Sequence, residues 1–186
     1  LCEWDDATNS FKKDVVMDMK APLHPDAHAF LHRDGDVEYV YFCKPLPLTR
    51  VRATAADYRD TSKCEAYTCL KEGKHLEEGH FDRDSSGKLR FSWKRNTPVV
   101  GQKEQNDLVT AGKLKREEGL IQLRNVANGK TVLAHGGSVN WNEFRKKWIF
   151  VFVEINGTSL LGEMWFTEAD SPVGPWEQCV KIVTHE

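Results

Sequence analysis

The sequence predicts an all-β chain of antiparallel meanders, and three observations carry that expectation. Apolar residues collect in short runs rich in β-branched and aromatic side chains. Turn-forming Gly, Asn, Asp and Pro separate those runs, and only two stretches have helical character. The most regular region, residues 137–184, reads as four consecutive strands.

At the start, Trp4-Asp5-Asp6-Ala7-Thr8-Asn9-Ser10-Phe11 begins abruptly and reads as the outer edge of an earlier sheet. Ala27 to His32 and Val37 to Phe42 flank the polar turn Arg33-Asp34-Gly35-Asp36, which predicts a hairpin. Pro45, Pro47 and Pro98 mark irregular connections, because proline has no N–H to give to a ladder. Ala53 to Asp60 is weakly helical. Lys88 to Lys94 reads as a strand after the turn Asp84-Ser85-Ser86-Gly87.

Gln102 to Glu118 is highly charged around Leu108, Val109 and Leu114, and Gly101 and Gly112 weaken any helix there. The expectation is a surface insertion or partly ordered loop rather than a core helix. Gly119 to Val126 and Lys130 to Ala134 are joined by Ala127-Asn128-Gly129, a strong hairpin signal.

The final strands are Ser138 to Trp141, Trp148 to Glu154, Leu160 to Ala169 and Val180 to Val183. Their turns are Asn142 to Lys147, Asn156-Gly157-Thr158 and Pro172-Val173-Gly174-Pro175. This up-and-down unit has the size of one propeller blade, roughly 40–50 residues. Trp148, Phe150 and Phe152 alternate with Ile149, Val151 and Val153, so both faces are apolar and both are expected to be covered. The fold expected is therefore a β-propeller of antiparallel four-stranded blades, best defined at 137–184, with residues 1–186 as one domain. Both ends look cut, which suggests part of a longer ring.

With 26 Lys plus Arg against 28 Asp plus Glu, mixed along the chain for a net charge of −2, there is no basic field for nucleic acid. The longest apolar run, Trp148 to Val153, has the length of a strand, so no membrane partner and a soluble protein are expected. No targeting segment is visible, which leaves the compartment open and export conditional on a signal peptide upstream. Oligomeric state is not legible.

Five cysteines, Cys2, Cys43, Cys64, Cys69 and Cys179, form no paired ligand motif and read as small buried hydrophobes, with a Cys64–Cys69 disulfide as the minor alternative in an exported protein. His24, His28 and His32 recur every four positions. Along a strand that step is about 13 Å, too far for one ion, so no metal and no cofactor are expected.

The segment Leu161 to Trp176, with its Gly174-Pro175-Trp176 ending, resembles the blade edge of the five-bladed propellers in the glycoside hydrolase family 43 and 32 superfamily. Together with His135-Gly136-Gly137-Ser138-Val139-Asn140-Trp141-Asn142 and Lys181-Ile182-Val183-Thr184-His185, it also resembles bacterial proteins grouped with those propellers. In such a blade Gly174-Pro175 makes the turn and Trp176 seals apolar surface at the edge. The resemblance covers about fifty residues well and Ala27 to Phe42 more loosely.

The resemblance implies a carbohydrate ligand in a central cavity and hydrolysis of a glycosidic bond by carboxylates at strand ends, one protonating the leaving oxygen and another supporting attack. Asp26 is the best placed, since it precedes the first strand of its sheet; Glu65 is a second candidate. Glu163 is a third, one alternation step from Trp165, whose ring could stack on a sugar. His28, His135, Trp141 and Arg145 are the remaining candidates for substrate binding. Each has a bland counterpart: Asp26 as a turn cap after Pro25, Glu65 and Arg145 as solvated charges, the histidines as satisfied structural residues. The general-acid motif of family 43 finds no matching Glu, so a non-catalytic propeller that binds carbohydrate or protein is the alternative to a hydrolase.

Overall fold

A computed structural model describes residues 1–159 and 162–184. It is mostly β, and nearly all of its strand pairings are antiparallel. A two-stranded hairpin, β1 (Cys2–Asp5) and β2 (Ser10–Lys13), precedes two five-stranded sheets.

The first sheet runs in sequence order through β3 (His28–Asp34), β4 (Val37–Cys43), β5 (Thr49–Arg52), β6 (Glu65–Thr68) and β7 (Ser92–Arg95). The expected hairpin at Asp34-Gly35 is present, with His28 opposite Cys43 and Asp34 opposite Val37. Gly35 takes the left-handed conformation that the tight turn demands. The strand expected over Lys88 to Lys94 is shorter and begins at Ser92, with only an Arg83–Leu89 bridge before it. The weak helix is the single turn α1 (Ala55–Tyr58), capped by the Thr54 hydroxyl.

The second sheet contains β8 (Ile121–Asn125), β9 (Ala134–Asn142), β10 (Lys147–Glu154), β11 (Glu163–Ala169) and β12 (Trp176–Thr184), in the spatial order β8-β12-β11-β10-β9. The four-strand meander is as expected, although Leu160 and Leu161, placed in its third strand by the sequence, lie outside the described residues. Both sheets have five strands rather than four. In the second, β8 pairs in parallel with β12, Trp176 opposite Ile121. Trp176 is consequently an interior core residue, its ring edge-on to Phe150 at 5.8 Å, and not a seal on an open edge. Gly137 lets β9 lie close on β10, since a Cβ there would run into the Val151 carbonyl and the Phe150 ring.

The sheets share one core. Tyr39, Tyr41 and Cys43 on one face of β4 meet Val139, Trp148, Phe150 and Phe152 from the second sheet. On the other face of β4, Phe42 packs with Leu23, Val51, Cys64 and Ala66. Trp148, Phe150 and Phe152 are buried, whereas Ile149, Val151 and Val153 are half-buried, so only one face of β10 is fully covered.

The charged stretch corrects the expectation of a surface insertion. Gln102–Thr110 is a helix, α2, and Leu108 and Leu114 pack in a third cluster with Cys69, Leu70, Leu89 and Val100. Its glutamines are buried and act as backbone substitutes. Gln102 donates Nε2 to the Val132 carbonyl at 2.7 Å and accepts from the Ala134 N–H at 3.0 Å. Gln105 Oε1 accepts from the N–H groups of Leu120 and Ile121 at 2.8 and 3.0 Å, and its Nε2 donates to the Val100 carbonyl at 2.8 Å. The side-chain amide carries one acceptor and two donors, which suits it to this role.

All five thiols are free. Cys64 and Cys69 sit in different clusters, so the alternative of a bridge between them does not hold. Among the described residues no helix is long and apolar enough to cross a membrane.

Candidate functional site

β3 and β9, the first strands of the two meanders, lie against each other. Around the end where they begin, two hollows open on either side of Lys44. The larger, about 490 Å³, lies between Lys44, the start of α2, the Leu133–Ala134 segment and the Ile155–Asn156 turn. Pro45, Leu133, Ala134 and Ile155 give it an aliphatic floor; Lys44, Gln102, Asn106 and Asn156 bring polar groups to its walls. The smaller, about 260 Å³, is lined by Leu23, His24, Asp26, Phe42 and Leu48.

Local sequence sets this geometry. Ala27 has a left-handed φ of 57° and turns the chain from Asp26 into β3. Asp26 is thereby held at the strand entrance, where it is ion-paired with Lys44 and lies 4.0 Å from His24 Nε2. The hydrogen bond from Lys44 keeps the Asp26 carboxyl below the usual range. His24 Nδ1 is buried with no hydrogen-bond partner among the described residues.

A second polar cluster stands behind the Ile155–Asn156 wall. Glu154, at the end of β10, accepts from Trp165 Nε1 at 2.8 Å, and Glu163, at the start of β11, accepts from the Thr158 N–H at 3.0 and 3.1 Å and from its hydroxyl. Burial, and then the neighbouring Glu163 carboxylate, raise the Glu154 pKa. The Thr158 hydroxyl bond holds that of Glu163 down, against the effect of burial. The two carboxyls are therefore shifted in opposite directions from the ordinary value.

The candidates named from sequence divide by position. Asp26, His28, His135 and Glu163 lie at the end where β3 and β9 begin, with His28 and His135 exposed. Glu65 lies elsewhere, in the cross-strand row Phe30, Tyr41, Arg50, Glu65, Arg95, and accepts from Arg50 Nε at 2.9 Å. Trp141 and Arg145 are at the opposite end of β9. Trp141 is 44% exposed, edge-on to Trp148 at 5.8 Å, with Nε1 donating to Glu143; Arg145 pairs with Glu168 at 2.6 Å. Trp165 and Glu163 share a face as the alternation requires, but that face is internal: they are 3% and 1% exposed. Trp165 thus presents no ring to a ligand.

Asp26, Glu65 and Glu163 are each engaged by a different partner, Lys44, Arg50 and Thr158, and do not converge on one point. His24, His28 and His32 diverge as well. His32 packs edge-on against Trp148 at 4.8 Å, and among the described residues no group of three or more His, Cys, Asp or Glu is placed to hold a metal.

Sequence reasoning missed Lys44, Gln102, Asn156 and Glu154. Glu154 carried a usable signal, because strand alternation puts it on the same face as Phe150 and Phe152. Lys44 carried none, since its role comes from a contact with Asp26 across the sheet entrance.

The larger hollow combines an aliphatic floor with a few converging amide and ammonium groups, an arrangement that suits a small polyhydroxylated ligand. Comparison of the chain with protein-family models, with curated proteins and with solved structures finds no match.

Proposed function

We propose that the protein is a carbohydrate-binding β-protein with blade-like sheets of propeller type, and that sugar sits in the 490 Å³ cleft at the entrance of β3 and β9. The cleft itself carries this reading: it is the hollow where the first strands of both meanders, the start of α2 and the β10–β11 turn come together. Amides of Asn106 and Asn156 can each donate to and accept from hydroxyl groups, the Gln102 amide being committed to Val132 and Ala134, and the aliphatic floor can cover the apolar face of a ring. The contact of β9 with both β3 and β4 brings the two meanders together, and that neighbourhood supports the blade-like arrangement. The test is calorimetric titration of linear tetrasaccharides of glucose, xylose and mannose into the wild type and into Asn156→Ala. Saturable binding that weakens in the variant supports the reading.

A second reading, glycosidic hydrolysis, is favoured by Asp26, which stands ionised at the entrance of β3 beside Lys44. An assay on a panel of aryl glycosides with wild type and Asp26→Asn tests it: undiminished turnover in the variant removes Asp26 from any mechanism.

A further inference from the structure

Two Asn-Gly pairs occur in the chain, Asn128-Gly129 and Asn156-Gly157, and in both the asparagine is exposed in a turn. Their bonds differ. The first pair is closed: the Gly129 N–H donates to the Asn125 carbonyl at 2.8 Å, and Asn128 Oδ1 accepts from the Lys130 N–H at 3.0 Å. The second is open. Asn156 takes a left-handed φ of 57°, and among the described residues neither its side-chain amide nor the Gly157 N–H has a hydrogen-bond partner.

The fold keeps the second pair unshielded. A Cβ at residue 157 would run into Glu163 Oε2, whose carboxylate is held there by the Thr158 N–H and hydroxyl. Residue 157 is therefore confined to glycine, which has no side chain to obstruct an approach to its main-chain nitrogen.

We propose that Asn156 is a self-modification site, at which the Gly157 nitrogen attacks the Asn156 side-chain carbonyl and converts the residue to aspartate and isoaspartate, while Asn128 is spared. The Gly157 N–H gives its proton to solvent hydroxide, and the freed electron pair forms a bond to Asn156 Cγ. The Cγ–Nδ2 bond then breaks, and Nδ2 takes a proton from water and leaves as ammonia. The product is a cyclic imide. Water opens it in one of two ways: cleavage between Cγ and nitrogen gives aspartate, and cleavage between the main-chain carbonyl carbon and nitrogen gives isoaspartate. The net change is one water consumed and one ammonia released, with no oxidation or reduction. At Asn128 the same attack first requires Gly129 to leave Asn125 and Asn128 Oδ1 to leave Lys130.

Asn156 stands on the wall of the larger cleft. An ionised carboxylate accepts hydrogen bonds but cannot donate them, so conversion removes half of what the amide offers and puts a negative charge on that wall. This consequence rests on the binding reading above; the modification itself does not.

The full chain, incubated at weakly alkaline pH and sampled over time by peptide mass spectrometry, tests the proposal, with enzymatic methylation of isoaspartate as a second readout. The Asn156 peptide should convert on the order of tenfold faster than the Asn128 peptide, the weight of the hydrogen bonds that must open at the latter. In urea, where those bonds are gone, the two rates should converge. Asn156→Gln should remove the fast isoaspartate formation and leave conversion at Asn128 as it was. Equal rates in the folded chain, faster conversion at Asn128, or a ratio that persists unchanged in urea overturns the proposal. Tetrasaccharide titration of fresh and converted protein separates the two claims. Conversion with no sugar bound by either sample leaves the modification standing and removes the cleft reading, and conversion with unchanged sugar affinity removes Asn156 from the ligand's contacts.

Discussion

Glu65 accepts a hydrogen bond from Arg50 Nε at 2.9 Å, and that contact is part of a buried network rather than a reactive pair. The Arg50 guanidinium also donates to Asp34 at 2.6 Å and to the Tyr41 hydroxyl at 3.1 Å, and it is sandwiched between the rings of Tyr39 and Trp93 at 3.8 and 4.0 Å. A carboxylate committed to a buried arginine holds structure together. Glu65→Gln should lower unfolding free energy by about 1–3 kcal/mol, from a weakened charged hydrogen bond in a largely buried setting, and leave sugar affinity unchanged. Urea denaturation and calorimetric titration of the same variant check both halves.

Gln105 makes three hydrogen bonds to main-chain groups, accepting from the Leu120 and Ile121 N–H groups and donating to the Val100 carbonyl. Gln105→Leu keeps the volume and abandons the Leu120 and Ile121 N–H groups in the interior. Unfolding free energy should drop by about 2–5 kcal/mol, the cost of two or more buried unpaired groups. Gln102→Leu should be comparably damaging. Equilibrium denaturation followed by far-UV circular dichroism measures both, and a loss under about 0.5 kcal/mol would mean that α2 does not anchor this edge of the sheet.

Gly137 sits where a side chain has no room. Gly137→Ala should destabilise by about 1–3 kcal/mol, because the new methyl must push back the Val151 carbonyl and the Phe150 ring. Gly35→Ala meets no atom, and its cost is the left-handed backbone alone, about 1 kcal/mol. Thermal denaturation of the two variants side by side tests whether crowding or backbone conformation is the larger penalty.

Trp141 separates the two ends of the second sheet. It is an exposed aromatic at the end away from the cleft, edge-on to Trp148, with Phe144 of the neighbouring turn more exposed still. Trp141→Ala should leave tetrasaccharide affinity within about twofold, whereas Asn156→Ala should weaken it on the order of tenfold, the loss of one well-placed hydrogen bond. The opposite order would move the ligand to the other end of β9.

Much of the fold was legible because its strongest signals are local. Asp34-Gly35 and Pro172-Val173-Gly174-Pro175 specify their turns by backbone chemistry, and the run Trp148 to Val153 marks β10 as a strand, although apolar residues on both of its faces did not show that only the Trp148, Phe150 and Phe152 face is fully covered. The parallel pairing of β8 with β12 is not local: it joins Ile121 to Trp176 across the whole meander and leaves no pattern in either segment. α2 was misjudged because composition cannot tell a solvated glutamine from one that pairs with buried main chain. None of the residues named from the sequence lines the larger cleft: Asp26 lines the smaller hollow beside it, and His28, His135 and Glu163 lie only at the same end of the sheets. Lys44 and Asn156 enter the cleft from a loop and a turn, where position depends on the whole fold.

The most direct test of the cleft is NMR of isotope-labelled protein titrated with the tetrasaccharide that gives the strongest calorimetric response. The account predicts shift changes that saturate and concentrate at Lys44, Gln102, Asn106 and the Ile155–Asn156 turn, with little at Trp141 and Arg145. Shifts confined to the Trp141 end, or none at any sugar in the panel, would contradict it.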